Sequence, residues 1–245
     1  MLKAVLFDLG GTLVHYDSAH ASLKELEKRS IVALYRHLAA NGQMALPEGT
    51  FLTAIRSRVE AEWQMALASL RGGSVEAPIQ AALADLGLSF AASEWQAARQ
   101  AFYEPVHRAA EPRRGARQTL RILRDQGVAL GLLSNTFWAA DVHDADLSRF
   151  GLLDLLPARL YSCDIGRVKP HPEAFEKALA ALGAQPDETV YVGDRLETDV
   201  EPARRLGLWG VLITVPFRHE HSDKIMPDAV IAELPELIRL LEPRR

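Results

Sequence analysis

One short apolar run, Leu2 to Phe7, interrupted only by Lys3 and closed by Asp8 and Gly10-Gly11, is followed by a long segment, residues 15–113, with no strand of any strength. An apolar run closed by turn residues reads as a buried strand of a parallel sheet. Within the segment the periodicity is helical. Leu23, Leu26, Ile31, Leu34, Tyr35 and Leu38 share one stripe and stop at Asn41-Gly42. Leu52, Ile55, Val59 and Trp63 mark a second amphipathic helix stopped by Gly72-Gly73, and shorter ones surround Ile79 to Leu86 and Trp95 to Phe102. A stretch this long cannot be a loop. It reads as an all-helical domain inserted after the first strand.

Beyond Pro112 strands and helices alternate. A helix from Ala116 to Asp125 leads into Val128–Leu133, which ends at Ser134-Asn135; a short apolar stretch follows at Leu160-Tyr161. A helix from Pro172 to Leu182 leads to Thr189–Val192, capped by Gly193-Asp194. Another helix ends at Gly207, then come Gly210–Val215, Ala229–Ile231 and a final helix from about Pro235 to Leu241. That alternation predicts an α/β fold, a Rossmann-like parallel sheet with helices on both faces. The domains expected are a core of residues 1–14 and 114–245 and a helical cap of residues 15–113.

Ligands of open α/β sheets bind beyond the carboxyl ends of the strands. Asp8, Ser134 with Asn135, and Asp194 stand at such ends; Asp199 lies five residues past Asp194, and Lys169 enters from a loop before a helix. Carboxylates gathered in one crevice repel one another unless a cation sits among them. A set of oxygen ligands suits magnesium, and a lysine and a serine hydroxyl opposite it would hold phosphate oxygens. The pattern describes a magnesium-dependent phosphate site with a carboxylate able to attack phosphorus.

Four segments, in order, resemble the motifs of the haloacid dehalogenase (HAD) superfamily of hydrolases: Phe7-Asp-Leu-Gly-Gly-Thr-Leu13, Leu133-Ser-Asn-Thr136, Lys169-Pro-His-Pro172 and Val192-Gly-Asp-Arg-Leu-Glu-Thr-Asp199. The helical insertion falls where one branch of that family carries its cap. The resemblance implies that Asp8 is the nucleophile that forms an aspartyl phosphate, that Ser134 bonds the transferring group, and that Lys169 neutralises it and orients Asp8. It implies magnesium held by Asp8, the backbone carbonyl of Gly10, Asp194 and Asp199. Asn135 and Gly11 are expected at the substrate. Tyr16, Asp17 and His20, at the hinge between core and cap, are specificity candidates by position.

One position departs from the family pattern. Phosphatases of the family usually carry an acidic residue two positions after the nucleophile, where this chain has Gly10. General acid–base help is worth about 10²–10⁴-fold, and a glycine cannot supply it. Three explanations stand: His15 or His20 substitutes; the leaving group is good, as in an acyl or aryl phosphate; or the protein turns over slowly or only binds phosphate. A fourth is the dehalogenase branch, in which the aspartate attacks carbon without magnesium. Retention of Asp194 and Asp199 favours the metal-dependent reading, with a small phosphorylated molecule as substrate.

Other residues read as structural. Trp63, Trp95 and Phe102 fall on apolar helix faces and are expected in the cap core. Arg113, Arg114 and Arg117 read as a solvated face, Arg195, Glu197 and His171 as surface groups, and Cys163 as a small buried residue. His219 and His221 form a pair without an evident third ligand. With 28 Lys and Arg against 32 Asp and Glu, the net charge of −4 offers no basic field for nucleic acid or an anionic membrane. The single cysteine cannot form an internal disulfide, which suits a reducing, cytoplasmic compartment. The N-terminal apolar run is too short to span a bilayer. A monomer or a homodimer is expected.

Overall fold

The N-terminal run becomes an interior strand of a six-stranded sheet in the computed structural model, which describes residues 1–16, 22–216 and 221–244. From one edge to the other the strands are Ala158–Tyr161 (β5), Ala129–Ser134 (β4), Ala4–Phe7 (β1), Thr189–Gly193 (β6), Trp209–Ile213 (β7) and Ala229–Ile231 (β8), each pair parallel. Alternation along β1 divides the core. Val5 and Phe7 pack with Leu120 and Leu123 of α5 (Ala116–Asp125), while Leu6 packs on the other face with Phe175 and Leu179 of α8 (Pro172–Leu182). Because helices cover both faces, the interior strands β1 and β4 run apolar until they end. Polar groups are thereby pushed to the carboxyl edge.

Two short strands, Val14–His15 (β2) and Glu111–Pro112 (β3), pair antiparallel and open the way to four helices. The periodicity could not show them, since two residues have no period. The helices are α1 (Leu23–Ala40), α2 (Glu48–Ser69), α3 (Glu76–Asp85) and α4 (Ala92–Ala109). Leu26, Ile31, Leu34 and Leu38 form the buried stripe of α1, as expected. Ser22 caps it, its Oγ accepting from the Glu25 N–H. After α2 the chain turns back against the sheet domain: a β-carbon on Gly72 would lie 1.6 Å from the Ser162 carbonyl oxygen, so only glycine permits this approach.

The structure adds one helix and corrects one reading. A helix that the sequence did not reveal, α6 (Ala140–Arg149), follows β4; it buries His143 and Asp146 beside Val142 and Leu147, so no apolar stripe announces it. Arg113 is buried, not solvated: its guanidinium donates to the carbonyls of Gly11, Thr214 (2.6 Å) and Ala232 (2.8 Å). It joins the end of β1 to the loops after β7 and β8. Asp199 sits in a π-helical turn, Leu196–Val200, ahead of α9 (Glu201–Arg205). No helix among the described residues is long and apolar enough to cross a membrane.

Candidate active site

Parallel register brings the polar groups together. Phe7 pairs with Leu132 on β4 and with Val192 on β6, so Asp8, Ser134 and Asp194 leave adjacent strands at nearly one level. The Asp8 N–H donates to the Val192 carbonyl at 2.9 Å, which fixes the main chain beneath its carboxylate. Asp8, Ser134, Asp194 and Asp199 are all buried, yet all border one cleft of about 490 Å³ between the sheet and the helical segment.

Lys169 is the hub. Its ammonium donates to Asp8 Oδ1 at 2.6 Å, to Asp199 Oδ1 at 2.7 Å and to the Tyr191 hydroxyl at 2.8 Å, which accounts for all three of its N–H groups. Burial disfavours its charge, but Asp199 and Asp8 outweigh that and hold its pKa above the ordinary lysine value. Burial pushes the Asp8 carboxyl up to about 6; Lys169 pulls against this, and the charge of Asp199 adds to it. Asn135 fixes the lysine from behind. Its Oδ1 accepts from the Lys169 N–H at 2.7 Å and its Nδ2 donates to the Lys169 carbonyl at 2.8 Å.

Asp8, Asp194 and Asp199 present carboxylate oxygens within 4.8 Å of one another. Buried Lys169, and Arg195 at 3.9 Å from Asp194 and half exposed, oppose three buried acids. A donor set made only of carboxylate oxygens, so crowded, fits a hard divalent cation of the magnesium type. Gly193 makes the crowding possible, because a β-carbon there would meet Asp199 Cβ and Cγ at 2.5 Å.

Not every expected site residue faces the cleft in the expected way. Gly10 lines it, but Gly11 does not: its N–H donates to the Val14 carbonyl at 2.8 Å and its own carbonyl receives Arg113. Asn135 lines the cleft with both halves of its amide engaged by Lys169, so its evident work is on the lysine. Tyr16 is on the wall, where its hydroxyl bonds His143 Nδ1 at 3.0 Å while Thr136 Oγ1 meets Nε2 at 2.6 Å. Burial drives the His143 ring down to about 4, against the pull of Asp146 and Asp144, and keeps it neutral near pH 7. Of the proposed substitutes for the missing acid, His15 lies in the β2–β3 ladder and is not on the cleft wall, and His20 falls outside the described residues, as do Asp17 and His219.

Trp63 is a second correction. It lines the same cleft as Asp8 and packs against Phe137, ring centroids 5.1 Å apart, whereas its helical stripe suggests the interior of the cap. Phe102 is buried and Trp95 partly so, as expected. His171 is not a free surface group: its Nδ1 accepts from the Glu173 N–H at 3.2 Å and caps α8.

A parallel sheet with a lysine-centred acidic cluster at its carboxyl edge defines the class: an α/β protein with a candidate site where the strands β1, β4 and β6 end. Comparison with known proteins narrows it. A model of the haloacid dehalogenase-like hydrolases matches residues 2–207, so the chain belongs to that family and is a hydrolase. It is 30% identical to phosphoglycolate phosphatase of Cereibacter sphaeroides over 98% of this chain and 99% of that one. It is also 33% identical to glyceraldehyde 3-phosphate phosphatase of Pyrococcus furiosus over 52% of this chain, a match that spans about half the relative's length (53%). Among solved structures, the 2-haloacid dehalogenase of Pseudomonas syringae pv. tomato DC3000 superposes over the whole of both chains with a TM-score of 0.71 and 26% identity.

Proposed function

We propose that the chain is a magnesium-dependent phosphatase that hydrolyses a small phosphate monoester through an aspartyl phosphate, with residues 15–113 as its cap domain. One observation carries this: Asp194 and Asp199 crowd their carboxylates against Asp8 within 4.8 Å. An aspartate that attacks carbon without metal gains nothing from two further buried acids, which only make its own ionisation harder. Relatives named as phosphatases add support.

The chain's own groups divide the work. Lys169 holds one oxygen of Asp8 and so fixes its rotamer for in-line attack on phosphorus. The Asp8–phosphorus bond forms as the ester P–O bond breaks, and the alcohol oxygen departs with the electron pair. Water then attacks the phosphorus, the Asp8–phosphorus bond breaks, and inorganic phosphate and free Asp8 result. Ser134 donates to a non-bridging oxygen, and the positive charge of Lys169, whose three N–H groups are already engaged, offsets the negative charge that grows on the phosphoryl group in the transition state. Magnesium, when held by Asp8, Asp194 and Asp199, supplies the positive charge that lets an anionic ester approach an anionic nucleophile. The helices over the cleft exclude water until the intermediate has formed.

Phosphate release from p-nitrophenyl phosphate tests this reading. It is expected with magnesium, absent with chelator, and lost in Asp8→Asn. A second reading, carbon–halogen hydrolysis by Asp8, is favoured by the likeness to the Pseudomonas dehalogenase and by Gly10. Chloride released from 2-chloropropionate in chelator, with no phosphate released from the ester, would establish that reading instead.

A further inference from the structure

The cleft is lined by groups of two kinds. Asp8, Lys169 and Asp194 are polar, and Tyr16, Val59, Trp63, Phe137 and Trp138 bring rings and aliphatic surface to the same cleft. The rings hold one another. Trp63 packs on Phe137 at 5.1 Å with planes at 42°, and Tyr16 meets Trp138 edge-on at 5.5 Å and 74°. Trp63, Phe137 and Trp138 are each only partly buried, so ring surface is left for a ligand. Glu27 and Glu60 line the cleft with Lys24, which gives an acidic leaving group no net attraction from these helices. A polyol or a short acid gains no polar partner from the Trp63 and Phe137 ring faces. A flat apolar group would gain both area and ring geometry.

Gly10 points the same way from an independent direction. It offers the leaving oxygen no carboxylic proton at the family's usual place, and the carboxylic acids that line the cleft outside the Asp8 cluster, Glu27 and Glu60, belong to α1 and α2. An alcohol leaving as alkoxide needs that proton, its oxygen being about as basic as hydroxide, with a pKa near 16 for water. A phenol, with a pKa near 10 like tyrosine, departs as the anion.

Resting on the phosphatase reading of this site, we propose that its substrates are small aryl phosphates, the ring seated on the Trp63–Phe137 wall and the phenolic oxygen leaving as aryloxide. The Asp8–phosphorus bond forms while the P–O(aryl) bond breaks. The aryloxide carries away the electron pair and takes its proton from solvent, and water then releases phosphate from Asp8. A cleft of about 490 Å³ accommodates one or two fused rings with the phosphoryl group.

Because aryl esters are intrinsically more reactive, the test begins with ligands that have no leaving group. Calorimetry with magnesium should show phenylphosphonate binding at least about tenfold more tightly than methylphosphonate, the worth of one well-packed ring. The Trp63→Ala variant should lose that preference and Trp63→Phe should keep most of it. In turnover, kcat/KM should favour 2-naphthyl and phenyl phosphate over glycerol 2-phosphate, and among substituted phenyl phosphates should climb steeply as the phenol pKa falls. Equal binding of the two phosphonates, or glycerol 2-phosphate turned over as fast as phenyl phosphate, would overturn the proposal. Should no ester be hydrolysed while the phosphonate preference holds and depends on Trp63, the phosphatase reading falls and the aryl-binding wall stands. If Trp63→Ala does not fold, the wild-type comparison and Trp63→Phe decide.

Discussion

At the scale of single residues, Gly10 and Asn135 define what this site lacks and what it has in reserve. Gly10 has no positive φ, and a β-carbon on it would touch only Tyr16 Cδ2, at 3.9 Å. A side chain therefore fits where the family usually carries its acid. Gly10→Asp is expected to raise kcat for glycerol 2-phosphate at least about tenfold, a part of what general acid catalysis is worth, and to change p-nitrophenyl phosphate far less. Comparing kcat for the two esters in both proteins measures it. Asn135 was read from the sequence as a substrate contact, since a polar residue at a strand end faces a ligand as readily as a loop. Its amide instead clamps the main chain of Lys169 on both sides. Asn135→Ala should lower kcat about tenfold with a smaller change in KM, and destabilise the fold by about 1–3 kcal/mol through the two main-chain groups left unpaired. Steady-state kinetics and urea unfolding separate the two effects.

Elements tell how far a linear pattern reaches. Strands β1, β4 and β6 were legible because burial on both faces leaves no choice but apolar runs, and the residues that end those runs are Asp8, Ser134 and Asp194. The hub Lys169 was legible only through its motif, since a lysine before a proline looks like any solvated loop. Trp63 was misplaced for a physical reason: periodicity on α2 shows that Val59 and Trp63 share a covered face, and a cleft wall covers a face as well as a core does. Helix α6 went unseen because what it buries is polar. Its His143 joins Tyr16, next to the β2 hinge strand, to Thr136, after β4. The ring stays neutral when folded down to about pH 4, while in the unfolded chain it takes a proton near 6.5. Its folded pKa is depressed, so its contribution to stability is complete above about 6.5 and falls away as pH drops toward 4, by roughly 3 kcal/mol. Asp8, with a raised carboxyl, acts in the opposite sense. The ring's share is therefore read as a difference: urea midpoints at pH 7 and 5 should move less in His143→Gln than in wild type. Equal movement would mean that the ring is not excluded from protonation.

The whole molecule carries the consequence of collecting buried acids at one sheet edge. Asp8, Asp194 and Asp199 bring carboxylate oxygens within 4.8 Å of one another; Lys169 bonds Asp8 and Asp199, and half-exposed Arg195 stands 3.9 Å from Asp194. The folded chain without metal is thus strained electrostatically in a way the unfolded chain is not, because unfolding disperses the three charges into water. A ligand that binds only the folded form adds RT ln(1 + [L]/Kd), about 2.7 kcal/mol at a hundred times Kd. For a chain of this length each kcal/mol moves Tm by about 2–4 °C. Saturating magnesium should therefore raise the melting temperature by roughly 5–10 °C, a shift that chelator reverses. Asp194→Asn removes one of the repelling charges and one ligand together. It should melt higher than wild type in chelator and gain little from magnesium, so that the two curves draw together or cross as the ion is added. A purely structural acid would behave otherwise: its loss would lower Tm in chelator and leave the magnesium shift intact. Differential scanning fluorimetry on the two proteins, with magnesium and with chelator, distinguishes these outcomes without any substrate being turned over.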